Sequence, residues 1–177
     1  MTDIVIAAAT RTPIGSFNGS LSGYSAAQLG EIVIREVLKR ADVAPEDVDE
    51  VLLGQILTAG VGMNPARLAA VNAGLPIQST AMTINQVCGS GLRAVALGMQ
   101  AILAGDSKIV VAGGQESMSN SQHAGFLRGG VKMGPMGFVD TMINDGLTDA
   151  FNAYHMGVTA ENVAREFQIS REMQDEF

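Results

Sequence analysis

Between Thr80 and Gly105 the sequence changes period within a few residues. Thr80–Val87 is a short, partly β-branched run of the kind that forms a strand. After Gly91 the apolar residues Leu92, Val95, Ala96, Met99, Ile102 and Leu103 recur at helical spacing, and Gly105 stops them. A strand feeding straight into a helix points to a layered α/β arrangement. Cys88 stands at the junction. Gly89 and Gly91 carry no side chains to block an approaching molecule, and the unpaired N–H groups of the first helical turn point towards residue 88. Their field favours thiolate over thiol. A lone cysteine is commonly a small buried hydrophobe. A strand-to-helix turn bracketed by glycines instead exposes a nucleophile and supplies an oxyanion donor from its own backbone, which makes Cys88 the candidate catalytic residue.

The rest of the chain supports the same layering. Ile4–Ala9 is a continuous run of small apolar residues, suited to a central strand covered on both faces. Arg11–Gly15 breaks it, and Ser16–Gly23 reads as a Gly/Ser-rich loop. Ser25 with Gln28 is a capping-box pair, and Leu29, Ile32, Val33 and Val37 form one stripe of a helix that closes with Lys39 and Arg40. The acidic patch Glu46, Asp47, Asp49 and Glu50 reads as a solvated turn before a strand over Val51–Leu57. Asn64 is a good N-cap and Pro65 suits the first helical position, predicting a helix over Pro65–Ala73. The glycines Gly60 and Gly62 lack the third glycine and distant acid of a dinucleotide fingerprint. Lys108–Ala112 is a fourth short strand. The expected fold class is α/β: a layered α-β-α half with a mixed, mostly parallel sheet, followed by a long loop excursion.

That excursion runs from Gly113 to Gly157. It holds nine of the chain's 21 glycines and five of its ten methionines, with no sustained period. Apolar residues such as Phe126, Met133, Met136, Phe138, Leu147 and Met156 argue against simple disorder, which is typically polar. Methionine suits both gap-filling in a core and an adaptable wall for a flexible, sulfur-containing ligand arm. Thr159–Phe167 reads as a short helix, and Ser170 caps another that begins Arg171-Glu172-Met173, so the sequence ends inside a helix. The expected domains are residues 1–118, an α/β domain, and 119–177, an incomplete loop domain.

Composition excludes several classes. A net charge of −7, no basic run and 5% aromatic residues disfavour nucleic-acid binding. No apolar stretch approaches the ~20 residues of a spanning helix. Met1 precedes the first expected strand by three residues, leaving no room for a cleaved targeting peptide and predicting a cytoplasmic protein. One cysteine rules out an internal disulfide, and His123 and His155 lack metal-ligand spacing.

Two segments resemble the thiolases, of the biosynthetic type. Asn85-Gln86-Val87-Cys88-Gly89-Ser90-Gly91-Leu92-Arg93-Ala94 is similar to the acyl-accepting cysteine motif of that family, and Val110-Val111-Ala112-Gly113-Gly114-Gln115-Glu116-Ser117-Met118-Ser119 to the strand and loop that follow it. The resemblance runs from the first strand to the last residue. It implies two stacked halves, each with five strands between helix layers, of which four strands of the first half are visible. It also implies that the excursion covers coenzyme A. Asn152-Ala153-Tyr154-His155-Met156-Gly157 resembles its pantetheine-facing segment, so that His155 and Met156, with Leu147, are expected to bind substrate. The locally basic stretch holding His123, Arg128 and Lys132, with no acid between Glu116 and Asp140, is either solvated surface or, as the resemblance suggests, a contact with a neighbouring subunit or its CoA.

The implied reaction is condensation of two acetyl-CoA to acetoacetyl-CoA, or the reverse thiolysis, through an acetyl-cysteine on Cys88. Coenzyme A thioesters are substrates, no cofactor or metal is implied, and a homodimer or homotetramer is expected, with neither nucleic acid nor membrane as partner. In the family the base, the second cysteine and the remaining oxyanion donor come from a second half, in Gly-His-Pro, Cys-containing and Asn-Glu-Ala motifs. None of these occurs in the 177 residues. Three readings follow: an intact enzyme of which this is a part, a truncated chain that only binds or assembles, or a related decarboxylating condensing enzyme.

Overall fold

The computed structural model describes residues 3–177. They divide into two compact units, the first ending at Gln122 and the second running from His123 to Phe177.

The first unit is built on three parallel strands, β1 (Glu50–Gly54), β2 (Thr80–Ile84) and β3 (Val110–Gly114), in the order β2-β1-β3. Register sets Leu52 between Met82 and Ala112, and Val51 between Ala81 and Val111. Because side chains alternate along a strand, these two rows point to opposite faces. Val51 and Leu53 pack with Ile34 and Leu38 of α1 (Ala26–Ala41) and with Ala66, Ala69 and Ala70 of α2 (Pro65–Asn72). The face of Ala112 meets α3 (Ser90–Ala104), whose Gly98 comes so near that a Cβ there would stand 3.1 Å from Val110 Cγ1. The result is a helix-sheet-helix sandwich. It explains why β1 reads Val-Leu-Leu without alternation: a strand buried on both faces has no solvent side.

The helix ends follow their local chemistry. Ser25 Oγ accepts from Gln28 N at 3.2 Å while Gln28 Oε1 accepts from Ser25 N at 2.8 Å, completing the capping box. Asn64 Oδ1 accepts from Arg67 N at 3.3 Å, ahead of Pro65. Gly105, at φ +83°, ends α3 in the left-handed region open to glycine.

Several sequence expectations change. Ile4–Ala9 forms no strand: Val5 and Ile6 are 77% and 78% exposed, and among the described residues β3 pairs only with β1. Without a neighbouring ladder the run forms no strand hydrogen bonds, and Ala9 O accepts instead from Arg40 Nη1 at 3.3 Å. The strand expected to reach Leu57 stops at Gly54, because Ile56 N and Leu57 N donate to the Glu116 carboxylate instead. Asp49, expected in a solvated turn, accepts from Lys108 N at 2.6 Å and Ile109 N at 3.1 Å and so ties β3 to the start of β1; these two bonds hold its carboxyl below the usual range. Finally, Val87–Ala104 comes closer to spanning length than expected: by length and composition alone it could cross a membrane. Ala94 and Gly98 of that stretch are buried, while Leu92 and Leu103 remain exposed on α3.

The second unit contains the two-residue antiparallel pair β4 (His123–Ala124) and β5 (Val139–Asp140), a π-helical turn over Met142–Leu147, α4 (Met156–Glu166) and α5 (Arg171–Glu176). The excursion thus carries short elements of its own. α4 starts three residues before the expected Thr159, because His155 caps it.

Candidate functional site

Cys88 lies in the turn between β2 and α3, beyond the carboxyl ends of the parallel strands, where ligands of open α/β sheets commonly bind. The strand expected to run to Val87 stops at Ile84, because the next residues bend back on themselves. Asn85 Oδ1 accepts from Val87 N at 3.0 Å, Gly89 N donates to Gln86 O at 3.1 Å, and Ser90 N donates to Val87 O at 3.1 Å. Val87 sits at φ +48°, a region where β-branched residues are outliers. Cys88 follows it as a free, exposed thiol, and no side chain caps the α3 N-terminus behind it. In α1 and α2 a side chain accepts from a first-turn N–H, whereas in α3 the N-cap Gly89 offers none and Ser90 N turns back to Val87 O.

The glycines act differently from the sequence reading. A Cβ at Gly91 would meet only ordinary contacts, 3.9 Å or more from the backbone of Gly113 and Gly114, and one at Gly89 would lie 3.4 Å from Gln86 O. Neither position is forced by its neighbours to be glycine. The steric demand falls on Gly54, where a Cβ would stand 2.5 Å from Ser90 Cβ and 2.9 Å from Ser90 C. The α3 N-terminus rests directly on β1.

At the same carboxyl end, a polar cluster follows β1 and β3. Gln115 Nε2 donates to Gln55 Oε1 at 2.8 Å, and Gln55 Nε2 donates to Leu57 O at 2.9 Å. Glu116 Oε2 accepts from Ile56 N at 2.8 Å and Leu57 N at 3.4 Å, whereas its Oε1 is buried with no partner among the described residues. Burial pushes its carboxyl up, and the backbone N–H groups only partly offset this. Hollows lined by Thr12, Ile14 and Phe17 on one side and by Gln28 and Leu57 on the other both reach Glu116; Cys88 lines neither. In the sequence Gln115 and Glu116 stand out only as part of a motif. The signal they carry there is a carboxamide and a carboxylate placed directly after a short apolar strand.

The other expected site residues, Leu147, His155 and Met156, belong to the second unit. Thr148 pairs with His155 in an antiparallel bridge and Asp149 N donates to Tyr154 O at 2.9 Å, so the chain returns upon itself and brings Leu147 next to His155 and Met156. His155 Nδ1 accepts from Gly157 N at 2.9 Å. A neutral ring in that position carries its proton on Nε2, which faces away from the cap as a donor. Met156 is the first residue of α4 and 42% exposed. His123 lies opposite Asp140 in the β4–β5 pair. Among the described residues no group of three or more His, Cys, Asp or Glu is placed to hold a metal.

The site is thus a free, exposed thiol beyond the carboxyl ends of a parallel sheet, just ahead of a helix whose N-cap makes no side-chain bond. Residues 4–177 match the family description "Thiolase, N-terminal domain", and the chain belongs to the thiolase family. It is similar to the acetyl-CoA acetyltransferase of Rhizobium meliloti (strain 1021), with 63% identity over 174 residues that cover 98% of this chain and 44% of the relative. With the acetyl-CoA acetyltransferase of Cupriavidus necator it shares 60% over 178 residues, covering 100% and 45%. With the cytosolic acetyl-CoA acetyltransferase of Rattus norvegicus it shares 57% over 172 residues, covering 97% and 43%. The chain spans less than half the length of these relatives.

Proposed function

We propose that the protein carrying these residues is an acetyl-CoA acetyltransferase that works through an acetyl group on Cys88. The observation that carries the reading is the exposed Cys88 thiol in its hydrogen-bonded turn, within a chain of the thiolase family. In the first step Sγ bonds to the carbonyl carbon of acetyl-CoA, the carbon–sulfur bond to coenzyme A breaks, and the thiol proton ends on the departing coenzyme A sulfur. The Cys88 N–H helps to hold the transient oxyanion. In the second step the α-carbon of another acetyl-CoA loses a proton to a base and attacks the acetyl-cysteine, giving acetoacetyl-CoA and restoring the thiol. Thiolysis is the reverse. Coenzyme A enters and leaves as part of the substrates, so the reaction draws on no separate cofactor.

His155, Met156 and Leu147 are the proposed contacts to the pantetheine arm. The His155 Nε2–H suits an amide carbonyl of that arm, and the methionine and leucine suit its methylene and sulfur-bearing segment. A cytoplasmic homodimer or homotetramer is the proposed assembly. The carbon–carbon step needs a base, a second cysteine and a further oxyanion donor, none of which has its motif within residues 1–177. Taken alone, these residues are proposed to accept an acetyl group slowly and not to turn over.

Coenzyme A-dependent cleavage of acetoacetyl-CoA by the protein at its full native length tests the reading. Turnover that disappears in Cys88→Ser supports it; turnover retained in that variant rejects Cys88 as the acceptor.

A further inference from the structure

We propose that Ser90 is the positioning residue of Cys88: its buried hydroxyl fixes the backbone of the turn, so that the Cys88 sulfur and N–H meet a thioester in one geometry. The inference deepens the proposed function and rests on it. Ser90 is 4% exposed, and its Oγ accepts from Gln86 N at 2.8 Å while donating to Val87 O at 2.6 Å. One hydroxyl therefore holds a donor and an acceptor in the two residues immediately before the nucleophile. Val87, at φ +48°, has no intrinsic preference for that backbone and is kept there by its surroundings. Asn85 Oδ1 makes one tie, to Val87 N, from an exposed position. The buried tie is Ser90. Its own place is set from the sheet, because Gly54 lets the Ser90 backbone and Cβ press onto β1. Position thus passes from β1 through Ser90 to the Gln86-Val87 peptide and on to Cys88. Ser90 acts through this backbone and does not touch the substrate.

Attack on a thioester needs both the sulfur and the adjacent N–H in register with the carbonyl, whereas alkylation by a small haloacetamide needs only an accessible thiol. A positioning role therefore separates two rates that a packing role moves together. The test uses the full-length protein and its Ser90→Ala variant, following Cys88 acetylation by acetyl-CoA with rapid quenching and mass spectrometry. Alkylation by iodoacetamide and thermal unfolding are followed in parallel. The variant should acetylate about tenfold to a hundredfold more slowly, with alkylation changed by no more than about twofold, since accessibility is kept. Val87→Gly in the Ser90→Ala background should recover part of the lost rate, because glycine accepts a positive φ without support. Unchanged acetylation, a parallel fall in both rates, or no recovery in the double variant overturns the proposal and leaves Ser90 as packing. Wild-type protein that alkylates but never acetylates refutes the acyl-acceptor reading itself, and this inference with it.

Discussion

Gly54 on β1 and Ser90 at the start of α3 are packed so closely that a Cβ at residue 54 would stand 2.5 Å from the Ser90 Cβ. The helix that carries the candidate nucleophile is seated on the central strand through the absence of one side chain. Gly54→Ala must push α3 off β1, since the nearest atoms include the Ser90 carbonyl carbon and Gly91 N rather than a flexible side-chain tip. Overpacking of this kind costs about 1–3 kcal/mol. Denaturant unfolding should show that loss, accompanied by a fall in any Cys88-dependent acylation; wild-type stability and rate together would mean the contact is looser than described.

Glu116 sets a pH dependence of stability. Its folded carboxyl is pushed above the ordinary 4.5 by burial, so it binds its proton more readily in the folded chain than in the unfolded one. Folding is favoured by this difference at low pH, and the benefit is lost as pH rises through the interval between 4.5 and the raised folded value. Glu116→Gln keeps an oxygen to accept from Ile56 N and Leu57 N without the charge. The variant should gain stability relative to wild type as pH climbs from about 4 to 7. Urea midpoints across that range give the check, and a difference that stays flat would show that the carboxylate is not penalised.

His155 caps α4, and substitutions can separate that role from its proposed contact with the pantetheine arm. As N-cap of α4 its Nδ1 holds Gly157 N, and loss of a cap costs about 0.5–2 kcal/mol. His155→Ala should fray α4, visible as faster amide exchange at Gly157, while His155→Asn should retain the cap. If the imidazole also binds the pantetheine arm, both variants raise KM for acetyl-CoA. A KM change confined to Ala would restrict His155 to capping.

Met156, at the first position of α4, is open enough to meet a ligand. Met156→Ala should raise KM for acetyl-CoA severalfold, by roughly the transfer energy of a partly buried side chain, and leave kcat nearly unchanged. The proposed contact is to a non-reacting arm and is present in ground and transition states alike. Unchanged KM with a lowered unfolding temperature would assign the side chain to packing.

Helices with strong local signals are legible in the amino-acid sequence. Ser25 with Gln28, Asn64 with Pro65, and Ser170 ahead of Arg171 each mark a start that depends on side chain and backbone within one turn. The three sheet strands are also readable, although their ends are not. β1 goes no further than Gly54 because Glu116 takes the N–H groups of Ile56, sixty residues before it, and Leu57, and no local pattern reveals that. Ile4–Ala9 misleads for the opposite reason: its composition suits a buried strand, but pairing needs a neighbour, and β3 offers its ladder only to β1 among the described residues. At the candidate site, the exposed turn that holds Cys88 is legible from its glycines and its place between two periods. Ser90 is not, because a serine in a glycine-rich turn looks like ordinary loop chemistry, and its role lies in its burial and its two hydrogen bonds.

The central claim is that Cys88 accepts an acyl group, and intact-mass spectrometry of the full-length protein mixed with acetyl-CoA and quenched in acid tests it most directly. The account predicts a gain of about 42 Da, an acetyl replacing a hydrogen, located by peptide mapping to Cys88, absent in Cys88→Ser and discharged by added coenzyme A. A protein whose mass does not change, or whose adduct maps to another residue, would contradict it.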